Sequence, residues 1–198
     1  MRLQEAKRDY YRRTAKKEGF RSRAAYKLLE INNSYHVILK GMYVVDLGCA
    51  PGGWLQVASK AVGSNGRVVG VDLRPVDPLP NVVCIQGPVD DNLLAEKILN
   101  IVGRRVNVIL SDVAPNVSGV WQLDHARQIS LTQNAVSIAE QILVRNGNVV
   151  LKAFEGAMFN ELRDEVKKKF SRVHLYKPRS SRKESSEMYL VCLGYNGS

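Results

Sequence analysis

Short apolar runs recur along the chain from about residue 42 to the C-terminus. They are rich in β-branched residues and are bounded by Gly, Pro, Asn or Asp, which is typical of β-strands. Their apolar character is nearly continuous, so we expect both faces of each strand to be covered. The runs predict strands at residues 42–47, 67–72, 82–86, 106–112, 147–154 and 188–195.

Amphipathic stretches of helical periodicity separate these runs. The longest carries apolar residues such as Ile129, Val136 and Ile142 on one face, and Gly147 follows its end. The predicted helices are residues 22–31, 53–62, 92–102, 124–144 and 158–170. Alternating strands and helices predict a doubly wound, mostly parallel α/β sheet of the Rossmann-like kind. A length of 198 residues fits a single domain of this class.

The composition excludes several classes of protein. Hydrophobic residues make up 45% of the chain and charged residues 24%, which is typical of globular domains. No apolar run approaches the roughly 18 residues of a membrane helix, and the N-terminus has no signal-peptide pattern. Cys49, Cys84 and Cys192 lack metal-ligand spacing and His is scarce. We therefore expect a cytoplasmic protein without a metal site.

Positive charge is concentrated in two parts of the chain, whose net charge is +10. Residues 1–23 contain nine Lys or Arg against three acids, interleaved with Tyr10, Tyr11 and Phe20. A second basic cluster spans residues 163–183 and includes Lys167, Lys168, Lys169, Arg179, Arg182 and Lys183. A single charged run is usually a solvated surface, but two separated clusters favour a polyanionic partner. Composition alone does not distinguish RNA from DNA or anionic lipid.

A glycine-rich turn follows the first predicted strand, in the sequence VVDLGCAPGGW at residues 44–54. Glycine lets the backbone approach a ligand closely, and open α/β sheets bind ligands at the carboxyl ends of their strands. About 20 residues later, Asp72 ends the second predicted strand, where a carboxylate can accept hydrogen bonds from the hydroxyls of an adenosine ribose. Together these two features predict a nucleoside-binding site.

A dinucleotide-binding dehydrogenase is one alternative, because Gly48, Ala50 and Gly53 form a degraded G-x-G-x-x-G fingerprint. Pro51 crowds the helix N-terminus that would hold a pyrophosphate, and the chain leaves little room for a second substrate domain. A cofactor without phosphates does not need that anion site.

Four polar residues stand at positions that a scaffold alone does not explain. Lys152 lies inside a strand that should be buried, where an unpaired ammonium is costly, although an edge-strand lysine could reach water. Asp112 lies at the C-terminal end of the fourth predicted strand, and Glu187 precedes the last one. Lys27 lies among apolar residues of the first helix. Taken alone, the last three are ordinary residues of a turn, a strand start and a solvated helix.

The chain resembles the FtsJ/RrmJ-like rRNA 2′-O-ribose methyltransferases over essentially its full length. The motifs that carry this resemblance are SRAAYKLLEI (22–31), VVDLGCAPGGW (44–54), VDLRPVDP (71–78), SDVAPNVSG (111–119), VLKAFEG (150–156) and EMYLVC (187–192). The resemblance implies one methyltransferase domain over residues 1–198, with a basic N-terminal helix. We expect residues 1–23 to bind RNA and residues 24–198 to form the catalytic α/β core.

The resemblance also implies site residues. The Lys-Asp-Lys-Glu catalytic set of the family falls on Lys27, Asp112, Lys152 and Glu187. Contacts to S-adenosylmethionine fall on Gly52, Trp54, Asp72, Asp112 and Pro88. Relatives tend to have Asp at the position of Pro88, so a backbone group or the nearby Asp90 would have to hold the adenine amino group.

The chemistry of methyl transfer suits these four polar residues. A ribose hydroxyl is a poor nucleophile near neutral pH and must lose its proton as it attacks. Lys152 accepts that proton if burial and the ammonium of Lys27 disfavour its charged form. Asp112 and Glu187 then orient the lysine and the hydroxyl, and no metal is required.

The residues and the resemblance together imply an S-adenosylmethionine-dependent enzyme that methylates an RNA ribose 2′-hydroxyl. The resemblance alone implies that this hydroxyl belongs to a uridine in large-subunit (23S-type) ribosomal RNA. We expect a cytoplasmic monomer with no membrane partner, whose substrate is the RNA itself or the assembled large ribosomal subunit. Methylation of transfer RNA by the same chemistry is one alternative. A non-catalytic RNA-binding assembly factor is another, although it would have no use for a buried Lys152.

Overall fold

Strands and helices alternate in the computed structural model, which describes residues 3–181 and 185–197. The strands are β1 (Tyr43–Leu47), β2 (Arg67–Asp72), β3 (Val82–Gln86), β4 (Val106–Ser111), β5 (Leu143–Phe154), β6 (Phe170–Tyr176) and β7 (Glu187–Tyr195). The helices are α1 (Leu3–Lys17), α2 (Ala25–Tyr35), α3 (Gly53–Val62), α4 (Leu94–Val102), α5 (Trp121–Ile142) and α6 (Phe159–Lys167).

The strands form one mixed sheet in the order β3-β2-β1-β4-β5-β7-β6. Strands β1 to β5 run parallel, whereas β7 is antiparallel to both β5 and β6. The order reverses between β1 and β4, and ligands of doubly wound sheets bind beyond the carboxyl ends of the strands at such a point. The glycine-rich turn follows β1 and Asp112 follows β4, so both lie at this position.

Both faces of the sheet are covered, which explains the continuous apolar runs. Neighbouring residues Val150 and Leu151 of β5 are fully buried on opposite faces. Leu151 packs in the cluster that contains Ile98 of α4 and Ile142 of α5. Val150 packs in the cluster on the other face, which includes residues of α2 and α3. No helix in the described ranges is long and apolar enough to cross a membrane.

The predicted α/β fold is confirmed, and most element boundaries agree within a few residues. The predicted helix 124–144 is wrong at its end, because α5 stops at Ile142 and β5 begins directly at Leu143. Strand β6 was not predicted from the sequence. It lies at the sheet edge with exposed Ser171 and Arg172, so it lacks the continuous apolar run that marks a covered strand.

Two helices precede the first strand. The basic segment forms α1, in agreement with the expected N-terminal basic helix. The helix predicted at residues 22–31 begins later, at Ala25, and continues to Tyr35. Tyr11 of α1 contacts Tyr26 at the start of α2, with 5.5 Å between ring centroids. This contact fixes the basic helix beside the helix that carries Lys27.

Candidate active site

The four polar residues predicted from the motifs meet at the carboxyl edge of the sheet. The Nζ of Lys152 lies 2.8 Å from Oδ1 of Asp112 and 3.6 Å from Oε2 of Glu187. The Nζ of Lys27 lies 2.5 Å from Oε1 of Glu187. Two ammonium groups and two carboxylates therefore form one contiguous cluster, contributed by α2, β5, β7 and the segment after β4.

Lys152 is a buried residue of a central strand, so the alternative of an edge-strand lysine is wrong. Strand β5 pairs with β4 on one side and β7 on the other, and Lys152 is only 7% exposed. Its Nζ also donates to the backbone carbonyl of Asp112 at 2.8 Å. Its own carbonyl accepts hydrogen bonds from Gln128 and Thr132 of α5. These contacts fix both ends of the residue.

The charge of Asp112 depends on its neighbours. Burial raises the pKa of this carboxyl, but the ammonium groups of Lys152 and Lys27 lower it. Hydrogen bonds from Lys152 and Tyr189 lower the pKa further, so the net direction is below the ordinary value. Asp112 is therefore a carboxylate at neutral pH, and it is able to stabilise a positive charge on Lys152.

Tyr189 is a member of this cluster that the sequence did not reveal. Its hydroxyl donates to Oδ1 of Asp112 at 2.6 Å and accepts from Nζ of Lys27 at 3.1 Å. Burial, followed by the nearby carboxylates of Asp112 and Glu187, raises its pKa well above the ordinary value, so it stays a proton donor. Its position two residues after Glu187, on the same face of β7, was the available signal.

The glycine-rich turn packs against the segment that precedes α2. Gly52 has a φ of 106°, which disfavours any other residue, and a Cβ there would lie 2.7 Å from Nη1 of Arg21. A Cβ on Gly53 would lie 2.2 Å from Oγ of Ser22. The left-handed backbone therefore requires glycine at position 52, whereas a Cβ at position 53 would displace only the hydroxyl of Ser22.

Trp54 serves the scaffold through its side chain. The indole is buried, donates from Nε1 to the carbonyl of Ala24 at 2.8 Å, and lies 5.8 Å from the ring of Tyr189. It thus links α3 to α2 and β7. The backbone N–H of Trp54 belongs to the first turn of α3, where helical N–H groups lack intrahelical partners and can serve a ligand.

Asp72 fixes the geometry around the turn. Its Oδ2 accepts from the backbone N–H of Ala50 and its Oδ1 from that of Arg74, each at 2.9 Å. Each carboxylate oxygen keeps a second acceptor site for a ligand hydroxyl. The N–H of Gly87 donates to the Asp72 carbonyl at 2.9 Å, which places the exposed Pro88 beside the same edge.

Asp46 is a second residue that sequence reasoning missed. It is fully buried near the end of β1, and neither carboxyl oxygen has a hydrogen-bond partner among the described residues. Burial, and then the proximity of Asp112 and Asp72, raise its pKa well above the ordinary value. A raised pKa favours the neutral form of the Asp46 carboxyl, so the negative charge at this edge of the sheet comes from Asp72 and Asp112. Within residues 3–181 and 185–197, no group of His, Cys, Asp or Glu side chains could hold a metal ion.

Comparison with known families decides the class of enzyme. The model of the FtsJ-like methyltransferases matches residues 20–195, which include the cluster and the glycine-rich turn. The chain belongs to the FtsJ-like methyltransferase family. This confirms the resemblance inferred from the motifs, and the dehydrogenase alternative is wrong.

Relatives of this FtsJ-like methyltransferase extend over its full length. A protein of Nitrosopumilus maritimus named ribosomal RNA large subunit methyltransferase E is 49% identical, with all of both chains covered. A protein of the same name from Cenarchaeum symbiosum is 47% identical, again over all of both chains. The protein of that name from Methanocaldococcus jannaschii is 46% identical, over 96% of this chain and 80% of its own.

A solved structure supports the fold. A Plasmodium falciparum protein described as a ribosomal RNA methyltransferase superposes with a TM-score of 0.80 and 33% identity. The match covers 90% of this FtsJ-like chain and all of the other. The mixed sheet and its covering helices are therefore those of a methyltransferase domain.

Replacing Tyr189 with Phe tests the contacts inside the cluster. The variant removes the donor to Asp112 and one acceptor of Lys27, so we expect the free energy of unfolding to fall by about 1–3 kcal/mol. Urea denaturation measures this change. In an Asp112→Asn background the cost of the same change should be smaller, because the charged acceptor is already absent. Equal costs in both backgrounds would show that the hydroxyl and Asp112 are not coupled.

Proposed function

We propose that this chain transfers a methyl group from S-adenosylmethionine to the ribose 2′-hydroxyl of a uridine in large-subunit ribosomal RNA. The observation that carries the proposal is the buried contact of Lys152 with two carboxylates at the carboxyl edge of the sheet. A lysine in this setting is a candidate base, next to a turn suited to a nucleoside cofactor.

The cluster is proposed to remove the proton of the attacking ribose hydroxyl. When bound, S-adenosylmethionine supplies a methyl group that is already activated on a sulfonium. Once Lys152 has released the proton of its ammonium, its neutral amine takes the hydroxyl proton as the ribose oxygen bonds to the methyl carbon and the carbon–sulfur bond breaks, which leaves a neutral thioether. Asp112 and Glu187 contact Nζ directly, so they stabilise the ammonium that results. The other two members act through these carboxylates, because Lys27 holds Glu187 and Tyr189 holds Asp112.

The residues at this edge of the sheet support S-adenosylmethionine as the methyl donor. Its sulfonium and amino groups carry positive charge, which suits the carboxylates of Asp72 and Asp112. We propose that Asp72 binds the ribose hydroxyls, since its oxygens retain free acceptor sites beside the turn. The proposed contact residues are Gly52, Trp54, Asp72, Pro88 and Asp112. A backbone group near Pro88, or Asp90, would replace the carboxylate that relatives tend to have there.

Ribosomal RNA is proposed as the substrate from the relatives and from charge. Proteins that match this chain over their full length carry names specifying the large ribosomal subunit, which favours ribosomal over transfer RNA. A paired and buried Lys152 disfavours a non-catalytic assembly factor. A monomer acting in the cytoplasm completes the proposal, in keeping with free Cys49, Cys84 and Cys192.

Helix α1 and the segment around Arg179 lie on the same side of the sheet as Lys27, whereas α6, which carries Lys167, packs on the other face. Helix α1 contacts the start of α2 through Tyr11 and Tyr26, and the backbone N–H of Arg179 donates to Glu30 of α2 at 2.7 Å. Ion pairs with Asp164 and Glu140 offset the charge of Lys167 and Lys169, and Arg182 and Lys183 lie outside the described residues. We propose that residues 1–23 form the main RNA-binding segment and that residues 24–198 form the catalytic core.

Replacing Asp72 with Ala should weaken binding of S-adenosylmethionine. Loss of two ribose hydrogen bonds costs about 2 kcal/mol, or about a 30-fold rise in Kd. Calorimetric titration measures Kd, with Asp164→Ala on α6 as a control that keeps normal affinity. Because Asp72 also holds Ala50 and Arg74, a thermal melt checks that the variant is folded. Unchanged affinity in a folded variant would remove Asp72 from the cofactor site.

RNA binding should weaken steeply as salt rises, because phosphate contacts release counterions. The triple variant Arg12→Gln, Lys16→Gln and Lys17→Gln should make the salt dependence shallower. The negative slope of the log binding constant against log salt should decrease in magnitude by about 2 for single-stranded RNA. A control with Gln at the exposed Lys40, Lys60 and Lys97, away from α1, should keep the normal slope. Filter binding at several salt concentrations measures both. Equal slopes in the two variants would mean that α1 does not contact RNA.

Replacing Lys152 with either Ala or Arg should reduce methyl transfer by about 100-fold or more, since general-base catalysis commonly contributes 10²–10⁴-fold. Arginine retains the charge but stays protonated and cannot accept a proton. Single-turnover kinetics on large-subunit ribosomal RNA measure the rate of the chemical step in each variant. Binding of S-adenosylmethionine serves as the control and should be nearly unchanged. Near-normal turnover in Lys152→Arg would assign Lys152 an electrostatic role instead.

A further inference from the structure

Exposed apolar side chains are gathered at one place beside the catalytic cluster. Trp121, the first residue of α5, is 45% exposed, although most large apolar residues of this chain are buried. Its neighbours in sequence or space share this exposure: Val117, Val120, Leu123 and Met158. Neither the fold nor the proposed chemistry uses these side chains.

The Trp121 ring is held by aromatic stacking. It lies 5.7 Å from the ring of His125, with 18° between the planes, and 6.1 Å from the ring of Phe154, with 20° between the planes. His125 is itself fixed, because its Nε2 accepts from the backbone N–H of Met158. A Cβ on Gly156 would lie 2.7 Å from the His125 ring, so the strand end packs closely against it. The indole therefore has a supported orientation while part of its surface remains open.

The loop that leads into α5 is fixed as well. The carboxylate of Asp124 is buried and accepts hydrogen bonds from the backbone N–H groups of Ser118 and Gly119 and from the Ser118 hydroxyl. An aromatic side chain with a preset orientation loses little conformational entropy when it binds a flat partner.

Two parts of the chain link Trp121 to Asp112 and Lys152. The segment that ends at Trp121 begins at Asp112, which contacts Lys152 directly. Phe154, on which the indole stacks, follows Lys152 by two residues of β5, a distance of about 7 Å along the strand. The basic helix α1 approaches the catalytic cluster from the side of α2. The aromatic surface around Trp121 borders the same cluster on the side of α5.

We infer that Trp121 stacks on the nucleobase of the nucleotide whose ribose is methylated. This inference rests on the proposed RNA substrate. RNA is commonly recognised through bases that leave the helical stack and pack on aromatic side chains. Stacking on Trp121 would hold the base outward and direct the attached 2′-hydroxyl toward Lys152. Every base offers such a face, so the contact positions the nucleotide rather than identifying it.

Substitution at Trp121 gives the first test. With a large-subunit ribosomal RNA transcript, Trp121→Ala should raise KM about 5- to 150-fold, the range expected for one lost stacking contact. Trp121→Phe should recover most of the affinity, because it keeps an aromatic face. Leu175→Ala, an equally exposed apolar residue on β6, is the control and should behave as the normal protein. Affinity for S-adenosylmethionine should be unchanged in all variants, and a cooperative thermal transition checks that each is folded, because Trp121→Ala also removes the stacking on His125 and Phe154.

An abasic nucleotide at the methylated position identifies the base that is stacked. It keeps the 2′-hydroxyl but removes the partner of Trp121, so the normal protein should show the same rise in KM as Trp121→Ala. The two changes combined should cost no more than either alone. Additive effects, or an unchanged KM in Trp121→Ala, would overturn the inference and leave this surface to a protein partner. Absence of RNA methylation by the normal protein would instead contradict the proposed function.

Discussion

Burial of a lysine ammonium in the centre of the sheet is the constraint on which the site depends. Lys152 is 7% exposed, and such a charge is tolerated only when it is paired and hydrogen-bonded. Asp112 and Glu187 provide that pairing, and Lys27 balances the second carboxylate. Removing one member leaves an unpaired buried charge, which typically costs about 3–5 kcal/mol. The cluster therefore couples the stability of the fold to the placement of its reactive groups.

The same arrangement explains why this edge of the sheet suits methyl transfer. The sheet order reverses between β1 and β4, which opens a crevice beside the cluster. The glycine-rich turn and Asp72 border the crevice, where S-adenosylmethionine is proposed to bind. Basic helix α1 lies on the side of α2, and Trp121 lies on the side of α5. A long anionic substrate can thus contact charged and aromatic surfaces around one reactive point.

The sequence predicted those features that depend on a short stretch of neighbouring residues, namely the covered strands and the residues within motifs. Strands β2 and β3 were predicted at their observed bounds, because residues that favour turns lie on both sides of their apolar runs. Edge strand β6 was missed because its exposed residues break the run. The motifs named Lys27 and Glu187, but their direct contact joins positions 160 residues apart, and only the fold brings them together. Tyr189, Asp46 and Trp121 were missed, because each looks like an ordinary scaffold residue until its neighbours are known.

The position of the transferred methyl group tests the central claim most directly. Large-subunit ribosomal RNA, free and within subunits, is incubated with this protein and methyl-labelled S-adenosylmethionine, and the RNA is then hydrolysed in alkali. A 2′-O-methyl group blocks cleavage at its own nucleotide, because alkaline hydrolysis needs a free 2′-hydroxyl. The account predicts label in alkali-stable dinucleotides. Label in mononucleotides would show base methylation and would contradict the assignment of Lys152 as the base that activates a ribose hydroxyl.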